Sequence, residues 1–415
     1  MRVTHAVMLL FNAIRRTLTA APLLAFLLPA CDPARPDVAP AASSSVSVSA
    51  SPASARPSVS AALAPSASAS VPAAAAFGPF GEAVESLSER GGDFISDNLI
   101  SNETSYLQVA SALGARAEGG VYIGVGPEQN FTYLALARPK LAVIVDIRRD
   151  NLLQHLYYRY LFEEARSRSH FLALLVGRPY DEGTASPDDA NFSAVAQHAE
   201  KMPKDAKLLQ SNVDAAILRM TNEWGIRLDD KDKQSIKKMA QVFFDKQLDL
   251  RFELKESSGR KYPTFRELLG AKDPRGAERS FLATNDAFRL VQKMQREGRV
   301  IPVVGDFGGE QAFAAIASYL KKNDLKITTF YVSNVEQYLL EPPVWTKWIR
   351  NVEGLPRTDD ALFVRCYLDQ GKKHPKQMDG HRTATVLAKV NDFLEREKKT
   401  PSRSFFTVAT EGNLE

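Results

Sequence analysis

The chain predicts an α/β fold, a mostly parallel, doubly wound sheet carrying a helical insertion. Three observations lead there. Val121-Tyr-Ile-Gly-Val-Gly126 is a short apolar run ending in two glycines, and Leu141-Ala-Val-Ile-Val-Asp-Ile147 is a second run one helix later. The pattern returns in Val300–Val304 before Gly305-Asp306, in Ile327–Val332 before Ser333-Asn334, and in Leu362–Leu368. Fully apolar runs alternating with helical segments belong to parallel sheets covered on both faces. Between the two blocks, residues from about 180 to 270 turn charge-rich and lose the strand pattern, which marks an insertion or cap.

The elements follow in order. Arg2, Arg15 and Arg16 precede a short apolar stretch, Ala20–Ala30, the layout of a targeting segment over 1–30. It is too short to span a bilayer as a helix. Leu28-Pro-Ala-Cys31 resembles the lipobox of bacterial lipoproteins, which implies acylation of Cys31; an ordinary cleaved secretory signal is the alternative. Residues 32–76 are almost wholly Ala, Ser, Pro and Val, a composition that cannot bury a core and predicts a disordered tether. The folded part then runs over 77–415.

Ser101 or Asn102 is placed to cap a helix over Tyr106–Leu113, with Glu103 favouring its positive end. A helix follows over 130–138. Leu152, Leu153, Leu156, Leu161, Phe162, Phe171 and Leu175 space out a long helix over 150–176. Ser235–Phe252 is amphipathic at helical spacing. Helices are also expected over Gln311–Lys322 and from Val335 through Trp345 and Trp348. Cys366, inside an apolar run, reads as a buried core thiol.

Composition excludes some functions. A formal charge of +4 over 415 residues, with no long Lys/Arg block, argues against nucleic-acid binding. The six histidines are scattered without metal-ligand spacing. No Gly-x-Ser-x-Gly elbow is present. Arg148-Arg149 suits a phosphate or carboxylate, or a solvated pair at a helix start.

Chemistry gathers at four strand ends: Gly124 with Gly126, Asp146, Asp306, and Ser333-Asn334. Ligands of open α/β sheets bind outside the carboxyl ends of the strands. Glycines let backbone approach a ligand, and an acid ending the second strand accepts from ribose hydroxyls. Gln129 stands where a dinucleotide motif has its third glycine, which points away from nicotinamide and toward S-adenosylmethionine.

Over roughly 94–176 and 295–370 the chain resembles class I S-adenosylmethionine-dependent methyltransferases, Rossmann-like enzymes. The resemblance implies cofactor contacts from Gly124, Gly126, Asp146 and Asp306. It places Ser333-Asn334 beside the reacting centre, with Asn334, Glu336 or Tyr338 positioning an acceptor. The acid usual at the start of the glycine loop is replaced by Tyr122 and Ile123, and Glu128 is the substitute within the loop. Asn130-Phe-Thr-Tyr-Leu134, Val145-Asp-Ile147 and Phe171-Leu-Ala-Leu-Leu-Val-Gly177 look like aminocarboxypropyl transferases of betaine-lipid synthesis. Asn98-Leu-Ile-Ser-Asn-Glu103, Val304-Gly-Asp-Phe307 and Phe330–Leu339 are similar to an uncharacterised family of bacterial lipoproteins.

An exported chain is separated from S-adenosylmethionine, which is made in the cytoplasm. The expectation is therefore a lipid-anchored cell-envelope protein that binds a small ligand or an envelope partner without catalysis. A methyl or aminocarboxypropyl transferase is the alternative.

Overall fold

The structure, a computed structural model, describes residues 78–414 apart from 95, 97–98, 117, 184–189, 254–260 and 403. The expected targeting segment, Cys31 and the tether lie outside the described residues. Ala69–Glu415 forms one compact unit. No described helix is long and apolar enough to cross a membrane.

Six strands make one sheet in the order β3-β2-β1-β4-β5-β6. They are β1 (Val121–Gly124), β2 (Leu141–Asp146), β3 (Val300–Val304), β4 (Ile327–Ser333), β5 (Arg357–Leu368) and β6 (Thr383–Lys389). β1 to β5 pair in parallel, and β6 runs antiparallel to β5. Every residue of β1, β2 and β3 is buried, so the apolar runs are what a sheet covered on both faces demands. Pro302 pairs opposite Ile144 in β3, the edge strand, where a missing N–H costs no ladder bond.

Two groups of helices flank the sheet. The first contains α3 (Gln129–Ala137), α4 (Arg149–Glu164) and α10 (Asn285–Arg296). The second is a chain of contacts through α1 (Phe80–Leu87), α11 (Ala312–Lys322), α12 (Pro342–Gly354) and α13 (Val390–Lys399). Between β2 and β3 lie also α5 (Arg168–Leu175), α6 (Phe192–Ala199), α7 (Ala206–Asn222), α8 (Asp230–Lys246) and α9 (Phe265–Leu269). The insertion is thus helical, and α8 anchors it by packing on α4, α5 and α7.

Three expected helices take a different form. The 150–176 helix breaks at Ala165, because Gln292 donates to the carbonyls of Phe162 (2.8 Å) and Ala165 (2.7 Å) while Ser167 caps the new start. The segment after Ser101 begins as a 3-10 turn, Tyr106–Val109, and continues as α2 (Ala110–Gly114). Neither Ser101 nor Asn102 caps it. The Ser101 hydroxyl donates instead to Gln129 (2.6 Å), and Glu103 is drawn into the core. The helix from Val335 likewise splits into a 3-10 turn, Val335–Tyr338, and α12, with Pro342-Pro343 opening the second piece. A last short helix, α14 (Phe405–Thr410), follows α13.

Candidate functional site at the strand ends

Strand order reverses between β1 and β4, which makes their carboxyl ends the natural ligand crevice of the sheet. The structure brings Gly124, Gly126, Glu128, Asp146, Asp306, Ser333 and Asn334 to this one face. It also shows what each is doing there.

The glycine loop is braced from within. Asn130, at the start of α3, donates to the carbonyls of Val125 (2.9 Å), Gly126 (3.0 Å) and Pro127 (2.7 Å), and accepts from the Tyr122 hydroxyl (2.9 Å). Gly124 is required for this: a Cβ there would stand 2.0 Å from the Asn130 Oδ1. Gly126 has φ +76° and open space around it, so its need is conformational rather than steric. His155 on α4 holds the Gly126 carbonyl through Nε2 at 2.9 Å, and burial lowers this imidazole to about 4. A neutral ring is the form that fits the site.

Asp146 is already partnered. Its Oδ1 accepts from the Arg148 backbone N–H (2.9 Å) and Nε (3.2 Å), and its Oδ2 accepts from Nη2 (3.2 Å). A ribose diol would have to displace a bidentate guanidinium to reach it. Arg149 is likewise engaged with Asp232, at 2.7 and 2.6 Å. Asp306 turns its Oδ1 to its own loop, accepting from the Gly308 N–H at 2.9 Å.

At the β4 end Ser333 holds φ +53°, unusual for a non-glycine residue. Its hydroxyl donates to Glu103, and Asn334 Oδ1 lies 3.2 Å away. Glu336 is not on this face. It is fully buried, ion-paired with the equally buried Arg365 and bonded by the Trp348 indole N–H at 3.2 Å. A carboxylate so committed in the core cannot position an acceptor at the strand ends. Tyr338 is 45% exposed, with its ring edge on Phe94 at 5.2 Å between centroids.

The most consequential contacts belong to Glu103, which the sequence suggests only as a helix-dipole residue, and to Glu128, the expected substitute acid of the glycine loop. Glu103 is buried, and its carboxylate accepts from Tyr331 (2.9 Å), from Ser333 and from Gln129 Nε2 (2.8 Å). Burial pushes its carboxyl up; Ser333, Gln129 and Tyr331 pull the other way. Glu128 is pushed up to about 8, again chiefly by burial. It accepts from the Ser101 N–H (3.2 Å), its Oε2 has no hydrogen-bond partner, and the residue is one of those lining a void of about 10 Å³, room for one water at most.

Glu89 closes the β3 end. It accepts from the N–H groups of Asp306 (2.6 Å), Gln311 (3.2 Å) and Ala312 (3.1 Å), so it caps α11 from a distance in sequence. The one sequence signal for this network was Gln129: an amide at a glycine position has a hydrogen-bonding task. Glu89 left no signal, because nothing local distinguishes it from a solvated carboxylate.

These residues do not fit an adenosine cofactor in the arrangement shown. The ribose acid is neutralised, the turn after β3 is filled by Glu89, and the β1/β4 crevice is filled by Glu103.

A family profile described as a domain of unknown function, DUF7790, matches residues 99–411. No curated protein matches the chain.

Proposed function

This chain belongs to the DUF7790 family, and we propose that it is a membrane-tethered cell-envelope lipoprotein whose methyltransferase-like domain binds a small ligand or partner without transfer chemistry. The observation that carries the non-catalytic part is Asp146. Both of its carboxylate oxygens are held by Arg148, so the acid that would recognise a cofactor ribose serves the fold instead. The tether part rests on the sequence: the Arg-rich start, the apolar run, Cys31 and the Ala/Ser/Pro stretch form one continuous anchoring device.

Calorimetry on the full chain tests the first part. Neither S-adenosylmethionine nor S-adenosylhomocysteine should bind at millimolar concentration. Micromolar binding that disappears in Asp146→Ala would sink the reading. It would instead favour the second one, a methyl or aminocarboxypropyl transferase with Asn334 at the reacting centre. That alternative is favoured by one feature, Ser333 at a positive φ on the end of β4, because strained backbone concentrates at sites of function. Metabolic labelling with a radioactive fatty acid tests the tether: label should enter the chain and be lost in Cys31→Ser.

A further inference from the structure

Two of the three obstacles to an adenosine ligand, Glu89 at the β3 turn and Glu103 in the β1/β4 crevice, belong to one segment, the one that leads from α1 to the 3-10 turn. Among its described residues, contacts follow the order of the sheet. Ser88 and Glu89 bond the end of β3 through the Val304 N–H (3.1 Å) and carbonyl (2.9 Å). The Gly92 N–H reaches the Ile147 carbonyl just after β2 (2.9 Å), and Arg148 holds the Ser96 carbonyl (3.3 Å). Gln154 of α4 holds the Leu99 carbonyl (2.6 Å). Ser101 meets Glu128 and Gln129 after β1, Glu103 meets Tyr331 and Ser333 at β4, and Ser105 reaches Thr383 of β6 (3.0 Å).

We propose that the described residues of 88–94, 96 and 99–105 act as a displaceable strap, an internal occupant of the strand-end crevice whose release at the Glu103 end opens that crevice to a ligand.

Three features distinguish a strap from a structural layer. Its described residues contribute no strand, so the six-stranded ladder is complete without them. The walls beneath it are braced independently: Asn130 and His155 fix the glycine loop, and Arg148 fixes Asp146, through bonds that do not involve the strap. Its middle, Arg90–Asp93, is exposed and holds the adjacent glycines Gly91 and Gly92, which suits a bend that can reopen.

The Glu103 end is the latch. Its carboxylate is buried, yet the groups that bond it at Tyr331, Ser333 and Gln129 are all neutral. A carboxylate with neutral partners and no cation is held less firmly than one in an ion pair. Once it leaves, two hydroxyls and an amide at the β1/β4 switch point are free to take a ligand. The inference holds whether the crevice serves binding or transfer, because it concerns who occupies it first.

Hydrogen exchange on the full chain at neutral pH tests it without any ligand. The amides of Glu89, Gly92, Ser101, Glu103 and Ser105 should exchange roughly 100-fold faster than those of β1, β2 and β4, through an opening that leaves the sheet protected. Glu103→Gln, which keeps the side-chain shape, should speed the strap by about a further 10-fold, with the sheet speeding by no more than that and staying well behind the strap. Exchange of strap and sheet together in one cooperative step would overturn the proposal, as would strap rates that the substitution leaves unmoved. If that variant does not fold, the comparison of strap and sheet rates in the natural chain decides alone.

Discussion

The two ends of the strand-end face are closed by different physics. At the β2/β3 side the closing groups are charged and matched. Arg148 neutralises Asp146, and Glu89 answers a cluster of backbone N–H groups at the start of α11. At the β1/β4 side two carboxyls, Glu103 and Glu128, are buried among neutral donors, and burial raises both toward the protonated form. The second arrangement depends on the proton. The acids near the strand ends therefore have two different uses: one is held by a fixed cationic partner, the other is pushed upward by exclusion of water.

The largest expected effect breaks this contrast by removing the proton dependence. Glu128 has a folded value of about 8 against an ordinary 4.5, so the folded chain binds the proton more tightly than the unfolded one. Its contribution is full below 4.5 and is lost as pH rises from there through 8, on the order of 5 kcal/mol for a wholly buried group. Urea unfolding of Glu128→Gln should show that slope removed and the variant more stable than the natural chain above pH 8. An unchanged slope would mean that the carboxyl is not desolvated.

Next in size is Glu103→Ala, which leaves Tyr331, Ser333 and Gln129 without their acceptor and opens a cavity; a loss of about 3 kcal/mol is expected in the same unfolding assay. Gly124→Ala should cost about 2 kcal/mol, because the new Cβ meets an Asn130 that is locked by three carbonyls. Gly126→Ala, with open space but positive φ, should cost only about 1 kcal/mol. Comparing the two sharpens the distinction between steric and conformational need.

The smallest effect belongs to the charged side. Glu89→Ala should cost about 1 kcal/mol, the size of a lost helix cap on a half-buried residue. An effect larger than that of Glu103→Ala would reverse the comparison.

The interior has its own example of committed charge. Arg365 and Glu336 pair with no exposed surface, and Arg365 lies over the rings of Phe363 (4.3 Å) and Phe393 (4.5 Å). Glu336 looked like a site residue because it follows a polar strand end by three positions. A 3-10 turn rather than an α-helix carries it, and that difference in winding turns the side chain into the core.

What the sequence determined by itself was the architecture near the sheet. Fully apolar runs of strand length, glycines after the first, acids or hydroxyls after the others and a charge-rich interval between blocks placed β1 to β5, α3, α11 and the helical insertion, because each is a local periodicity imposed by burial on both faces. The strand β6 escaped notice, since its direction depends on pairing with β5 rather than on any property of Thr383–Lys389. The same limit applied to the site. Sequence identified which residues end the strands; only tertiary structure decided which of them are free. Glu89 reaching Ala312 across 223 positions and Glu103 reaching Ser333 across 230 are contacts between segments far apart in the chain, whereas Arg148 closes on Asp146 only two positions away. No local propensity encodes such contacts, because their energy exists only once the sheet has assembled and water has left the space between them.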